Sequence, residues 1–572
     1  MSDVVFITPN MTGTIRDEVI GTLQIATILQ KQGISCKLIS FHQIGDLTVF
    51  DSFLQNALEH LEKLQPKIVS FYTRSDVYHI ELRMAQQIKE KWPEVYVVLG
   101  GPQSDITARE TVESLSYIDF VCRGEGETTA YPLFSSLIKG CPDRTVPGLV
   151  YRTGETVMEN PRPVLIEDLD SLPLIDYSLL PETAYIASSE EVFPVDVGRG
   201  CPFGCTFCST KSFWGRKFRL KSPERICQEI QIAHDRFGYT RFNLTHDMFT
   251  FHKNMVYNTC QLLRKMDFPV HWGCSARLDC IDRKLIDEMA ASGMVGIYIG
   301  IETGSPRMQK LISKHLKLED AVKKAAYLKE KGIQTTASFI YGFPEETEED
   351  ISQTLSLIAQ LLKLRSVKIQ THLCAFFAGT ALLETYRQEM QPVQRYSDQT
   401  GEFAVAECQE LIVQNPALFP QLQEYRTAMR ERLRYFEVFV AMWKIYQPVY
   451  QYISEKYDQL HLIQMYYDFV KANETLLEEI GNTHGFAPAR MIQEDQFPAC
   501  FEKDENYDLI RDYCWMIAAQ HSAAVQQGET VTDIICFSPS EAKKQETLSQ
   551  CPRTPTIVNI NKNKISEIPL PL

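Results

Sequence analysis

The chain has 572 residues, 44% of them hydrophobic and 23% charged, and a net charge of −15. That length exceeds a single core and predicts roughly three or four domains. The acidic balance gives no general attraction to phosphate backbones, so nucleic acid is not an expected partner unless a local basic groove provides for one. No apolar run reaches the roughly 18 residues that span a bilayer. The opening MSDVVFITPN shows no basic or long apolar leader. The expected setting is therefore cytosolic, where the 16 cysteines stay as thiols or bind metal.

From residue 3 to about 140, short apolar runs alternate with amphipathic stretches: DVVFITPN, CKLISF, KIVSFYT, VYVVLGG and IDFVCRG. This alternation predicts a doubly wound α/β domain with a parallel sheet over residues 1–140. Ligands in such sheets sit at the carboxyl ends of the strands. There lie the loops Thr8 to Thr14, Thr73 to Asp76, Gly100 to Ser104 and Gly124 to Glu127. Residues 141–190, rich in proline and acid, read as a linker or strap.

A second βα series fills residues 191–380: VFPVDVGRG, RFNLTHD, VHWGCSAR, VGIYIGIETG, TTASFIYGFP and VKIQTHLCAFF. Six such strands rather than eight predict a partial (βα)6 barrel, with its chemistry at the carboxyl ends. Residues 381–572 read as a mainly α-helical C-terminal domain with a short strand-and-loop tail, expected to cap the barrel and select the substrate. In it Tyr435, Phe436, Phe439, Trp443, Tyr446 and Tyr450 fall near helical spacings and read as core. No internal repeat and no low-complexity block is present.

Cys201, Cys205 and Cys208 form a C-x3-C-x2-C motif. Three close thiolates hold three irons of a 4Fe–4S cluster and leave one iron open, whereas electron-transfer clusters usually take four protein ligands. Structural zinc is the competing reading, but it wants a fourth ligand and no CxxC partner is evident.

The run GRGCPFGCTFCST, with Phe207 before the last cysteine, closely resembles the opening of the radical S-adenosylmethionine superfamily. The resemblance continues through LTHDMFTFHKN, CSARLDCID, IGIETGS and FIYGFPEET. It implies that the open iron is chelated by S-adenosylmethionine and that reductive cleavage gives a 5′-deoxyadenosyl radical. Strand alternation puts Gly273, Ser275 and Arg277 on one face of their strand and Tyr298, Gly300 and Glu302 on one face of theirs, both turned inward, with Ile297, Ile299 and Ile301 turned to the helices. By resemblance Glu302 contacts the ribose, Ser275 and Arg277 the carboxylate and sulfonium region, and Asp247 the amino group, although THDM departs from the usual motif there. Ser338, Ile340 and Gly342 match the adenine-side GxIxGxxE motif, with Ser338 in place of its first glycine.

The N-terminal domain resembles the cobalamin-binding domain of the B12-dependent branch, through VVLGGPQS, IDFVCRGEGETT and VPGLVYRTGE. The resemblance implies cobalamin contacts at Gly100, Gly101, Gly124, Glu125 and Gly126, where glycines let a backbone approach a large ligand. The DxHxxG motif that supplies a histidine to cobalt is absent. Arg74 and Ser75 of the YTRSD loop are then the candidates nearest the cobalt.

The implied reaction is methylation of an unactivated carbon, or of phosphorus, by a 5′-deoxyadenosyl radical and methylcobalamin. It would require an external electron donor such as flavodoxin or ferredoxin and act on a small molecule or peptide. The alternatives are a cyclase, oxidase or rearrangement enzyme using the same cofactors, or a non-catalytic cobalamin sensor. Peptide, antibiotic intermediate, lipid and tetrapyrrole substrates all remain open.

Overall fold

The computed structural model describes residues 2–12, 17–180, 191–364, 366–393, 404–437, 439–440, 459–472, 474, 556–561 and 564–569. The chain forms two compact units. One comprises Met1–Ile301, Gln309–Ala337 and Leu373–Arg426; the other comprises Glu302–Met308, Ser338–His372 and Thr427–Leu572. Among the described residues, no helix is long and apolar enough to cross a membrane.

The first sheet begins with β1 (Val4–Thr8), β2 (Cys36–Ser40), β3 (Ile68–Tyr72), β4 (Tyr96–Gly100) and β5 (Phe120–Cys122). Runs such as VVFIT are buried at every position, as expected for a parallel strand covered on both faces. The helix Phe50–Leu64 buries Phe50, Phe53, Leu54, Ala57, Leu58 and Leu61, a stripe three and four residues apart. The parallel order β2-β1-β3-β4-β5 is the flavodoxin-like winding, whose crevice opens at the carboxyl ends of β1 and β3.

Two further strands, β6 (Leu149–Thr153) and β7 (Thr156–Glu159), extend this sheet in antiparallel fashion. They lie within the stretch expected to be a linker, so the domain does not end at residue 140. The sequence carries their signal, an alternating run folded at Gly154, whose φ of 60° suits a tight hairpin turn.

The second sheet is six-stranded, with β8 (Phe193–Asp196), β11 (Arg241–Thr245), β12 (His271–Ala276), β13 (Met294–Glu302), β14 (Gln334–Tyr341) and β15 (Val367–Leu373) in the order β15-β14-β13-β12-β11-β8. This is the partial barrel expected. Beside it stands a short antiparallel ribbon of β9 (Gly198–Arg199) and β10 (Arg219–Leu220).

The expectation that everything after 381 caps the barrel does not hold for the start of that region. Cys408, Leu418, Phe419 and Leu422 join the core of the first sheet. Phe419 lies 5.9 Å from the Tyr78 ring, Gln103 donates to the Leu418 carbonyl (2.9 Å), and Gln421 donates to the Ser75 carbonyl (2.7 Å). Apolar side chains spaced over this stretch complete an existing core rather than forming a new domain. In the second unit, Tyr435, Phe436 and Phe439 are buried as core, and Phe436 packs 4.7 Å from Tyr341. Trp443, Tyr446 and Tyr450 lie outside the described residues.

Candidate active site

The cysteine loop leaves the ribbon directly: Arg199 ends β9, Gly200 follows, and Cys201 begins the loop. Gly200 has a φ of 84°, and a Cβ there would fall on the Lys217 carbonyl of the opposing strand connection. Only glycine lets the two backbones approach this closely. The Cys208 amide donates to the Cys205 carbonyl (3.2 Å), and the Thr206 amide donates to the Ile312 carbonyl (3.1 Å). All three cysteines and Phe207 are half-buried.

Burial pushes the Cys201 thiol up to about 11, and the neighbouring Cys208, Asp247 and Cys205 add to the effect. Among the described residues, no three His, Cys, Asp or Glu side chains form a set for a single metal ion. Three half-exposed thiols on one loop, with a cation beside them, suit a polynuclear cluster with one open position.

Arg277 supplies that cation. Its guanidinium lies 3.8 Å from the Cys205 sulfur and 3.8 Å from the Phe203 ring centroid. It also donates to Asp279 (3.0 Å) and to the Lys314 carbonyl (2.6 Å). Arg277 therefore braces the cysteine loop, a role the sequence did not suggest. Asp247 is similarly engaged: burial raises its carboxyl, while the Gly200 amide and the Thr210 hydroxyl hold it down. These two partners lie on either side of the cysteine loop.

The strand alternation is as expected. On β12, Gly273 and Ser275 are partly accessible while Trp272, Cys274 and Ala276 are buried. On β13, Gly296, Tyr298 and Gly300 are accessible and Ile297, Ile299 and Ile301 are buried. Ser275 pairs with Tyr298, so their faces coincide.

In the second unit, Glu302 ends β13 with a φ of 70°, a left-handed conformation uncommon for a glutamate. The residues after it hold it there. Gly304 donates to the Thr354 hydroxyl (2.9 Å), and Ser305 donates to Asp350 (2.5 Å). A Cβ at Gly304 would sit 2.6 Å from the Gln353 carbonyl oxygen. The IETGS run is thus anchored to the helix Glu348–Leu362, which Thr347 caps reciprocally with Asp350. Ser338 is buried and Ile340 half-buried on β14. Gly342, at φ 80°, donates to Glu346 (2.6 Å) and accepts from Arg430 Nη1 (2.9 Å).

At the first sheet's carboxyl edge, four of the residues assigned to cobalamin have close neighbours within the chain. Gly101, Gly124 and Gly126 have their Cβ space taken by the Thr73 backbone, Pro163 and Ile25 respectively. Their glycines serve internal packing, and only Gly100 faces open space. Glu125 is buried, and its carboxylate accepts from Arg199 Nη1 (2.5 Å), Arg219 Nη1 (2.9 Å) and the Ile166 amide (2.6 Å). It is a structural anion, with no oxygen left for a cofactor. Arg74 is partly exposed and forms a two-pronged pair with Asp76 (2.8 and 3.1 Å), and Ser75 lies beside it under Gln421.

Sequence reasoning missed Arg199, Arg219, Glu127, Asp105 and Arg162. Arg162 pairs with the buried Asp105 (2.5 Å), tying the strap down. Burial works against the Arg199 charge, but Glu127, Asp196 and Glu125 outweigh it and hold the guanidinium above its ordinary value. The GRG before the triad and the RGEGE run were the available signals.

Residues 195–358 match the radical SAM superfamily profile, and residues 18–133 match the B12 binding domain. The chain carries a radical S-adenosylmethionine domain and a B12-binding domain. An uncharacterized methyltransferase of Pyrococcus horikoshii is 32% identical over 302 residues, covering 53% of this chain and 66% of that protein. The anaerobic magnesium-protoporphyrin IX monomethyl ester cyclase of Rubrivivax gelatinosus is 29% identical over 52% of this chain and 55% of its own length. The matched region spans about half to two thirds of these curated relatives. Among solved structures, the cobalamin-dependent S-adenosylmethionine radical enzyme OxsB with aqua-cobalamin bound superposes with a TM-score of 0.62 at 14% identity, over 93% of this chain and 82% of its own. The radical S-adenosylmethionine methyltransferase TsrM from Kitasatospora setae, with cobalamin and a 4Fe–4S cluster bound, gives 0.55 at 16%, over 68% and 77%. These likenesses establish a shared fold.

Proposed function

We propose that this protein is a cobalamin-dependent radical S-adenosylmethionine methyltransferase acting on an unactivated carbon or phosphorus centre. The observation that carries the reading is the joining of the cysteine loop to the B12-binding domain: the ribbon bearing Cys201 is ion-paired to Glu125 and Glu127. When bound, the 4Fe–4S cluster with S-adenosylmethionine supplies a carbon radical, and cobalamin supplies the methyl group.

Cys201, Cys205 and Cys208 hold the cluster, and Arg277 steadies the Cys205 thiolate. By resemblance, Ser275 and Phe207 of the first unit would take part in binding S-adenosylmethionine; within the second unit, the same resemblance gives Glu302 to the ribose and Ser338, Ile340 and Gly342 to the adenine side. Gly100, Arg74 and Ser75 would take part in holding cobalamin. The Arg74–Asp76 pair holds the arginine side chain in place. An external one-electron donor completes the system. The methyltransferase names of the Pyrococcus protein and of TsrM support this reading.

A second reading, cyclisation or oxidation with the same cofactors, is supported by the similarity to the anaerobic cyclases. Product mass separates the two. After anaerobic reconstitution and reaction with candidate substrates, a gain of one methylene supports methyl transfer, whereas hydrogen loss or unchanged mass refutes it. Absence of cobalamin binding would remove the N-terminal half of the assignment. Reductive S-adenosylmethionine cleavage would exclude a passive sensor.

A further inference from the structure

Arg199 and Arg219 stand directly opposite each other in the ribbon that precedes Cys201. Like charges in directly opposed positions repel. Here Arg219 is buried and Arg199 largely so, and both lie beside one tryptophan ring, Trp214, at 5.8 and 5.4 Å from its centroid. The Nε and Nη2 of Arg219 are buried without a hydrogen-bond acceptor. One carboxylate relieves this arrangement. Glu125, fully buried in the turn after β5, accepts from Arg199 (2.5 Å) and from Arg219 (2.9 and 3.0 Å). Glu127 takes the other arm of Arg199 at 2.5 Å. Neither carboxylate belongs to the barrel.

We infer that Glu125 is a positioning residue for the cysteine loop, setting from the B12-binding domain the place and electrostatic surroundings of the group that Cys201 holds. This rests on the reading of Cys201, Cys205 and Cys208 as cluster ligands. Transmission is direct. Only Gly200 separates Arg199 from Cys201, and that glycine is wedged against the Lys217 carbonyl, so the ribbon cannot shift without moving Cys201. Loss of the carboxylate charge leaves Arg219 buried without a counter-ion and Arg199 held by Glu127 alone, and truncating one partner of a buried pair carries its cost in the charge left behind. Uncompensated positive charge favours the more negative, reduced form of a nearby cluster.

The test uses full-length protein, reconstituted anaerobically, as wild type, Glu125→Gln and Glu125→Asp. Iron content, the electron paramagnetic resonance signal of the reduced protein and the midpoint potential are read for each. Glu125→Gln should shift the potential to a less negative value and alter the signal, and Glu125→Asp, which keeps the charge, should return both toward wild type. A Glu125→Gln protein with wild-type potential and signal overturns the proposal, as does a Glu125→Asp protein shifted equally far. If Glu125→Gln is not recovered folded, Arg199→Lys replaces it. That variant loses the forked link to Glu125 and Glu127, so an altered signal supports the proposal and an unaltered one overturns it. Failure of the wild type to take up iron would instead refute the reading of the triad.

Discussion

Replacing Gly200 by alanine should empty the cysteine loop without unfolding the chain. The residue sits at φ 84°, where an L side chain costs about 1–2 kcal/mol. Its added methyl would also meet the Lys217 backbone carbonyl, which has no rotamer with which to yield. Overpacking of this kind costs about 1–3 kcal/mol more. The total, roughly 2–5 kcal/mol, falls on the two-residue ribbon, which relieves it by opening and carrying Cys201 away. Gly215 provides the control, with φ 64° and open space where its Cβ would lie. Gly215→Ala should therefore bear only the conformational part, about 1–2 kcal/mol. The difference corresponds to a roughly five- to 150-fold weaker hold on the competent loop. Iron per chain after anaerobic reconstitution and the melting temperature of each variant are the measurements. A Gly200→Ala protein that retains iron as well as Gly215→Ala would refute the claim that close backbone approach sets the loop.

Changing Cys201, Cys205 or Cys208 singly to alanine should abolish iron uptake while leaving the apoprotein melting temperature nearly unchanged, since all three are half-buried and pack little core. Burial raises the Glu346 carboxyl from 4.5 to about 8, so the folded state binds a proton that the unfolded state has released across that window. Stability should fall as pH rises from 4.5 toward 8. Glu346→Gln should flatten that decline in a melting-temperature profile; an unchanged slope would refute the assignment. Arg430→Ala removes a buried charged donor from the Gly342 carbonyl, an interaction worth about 1.5–3 kcal/mol. The KM for S-adenosylmethionine should then rise roughly tenfold with a smaller change in kcat, as steady-state kinetics would show.

Much of the architecture was legible because it rests on local pattern. Continuous apolar runs announced the first sheet, and the Ile297, Ile299 and Ile301 alternation correctly told the inner face of β13 from the outer. The cysteine spacing announced its loop. What escaped were contacts between residues far apart in sequence. Glu125 looked like a ligand contact because it lies between two glycines, but its partner Arg219 is 94 residues away and no periodicity records that pairing. Gly101, Gly124 and Gly126 mark places where a side chain does not fit, and the neighbours that leave no room, Thr73, Pro163 and Ile25, are not legible in the local sequence. The hairpin Leu149–Glu159 was masked by the proline-rich stretch that follows it. Arg277 matched a family position, and its packing against Cys205 and Phe203 joins segments more than 70 residues apart, which no local pattern records.

The packing of Phe419 and Gln421 on the first sheet bears on how the chain is made. Gln421 reaches the Ser75 carbonyl across 346 positions and Gln103 reaches Leu418 across 315. The B12-binding domain therefore cannot finish its core as it emerges from the ribosome. It must wait, with Tyr78 and its neighbours uncovered, until the entire barrel has been synthesised. Such distant closures slow folding and expose apolar surface meanwhile. Nascent chains stalled before residue 404 should accordingly recruit chaperones, and release from them should coincide with translation of the segment that covers the YTRSD loop.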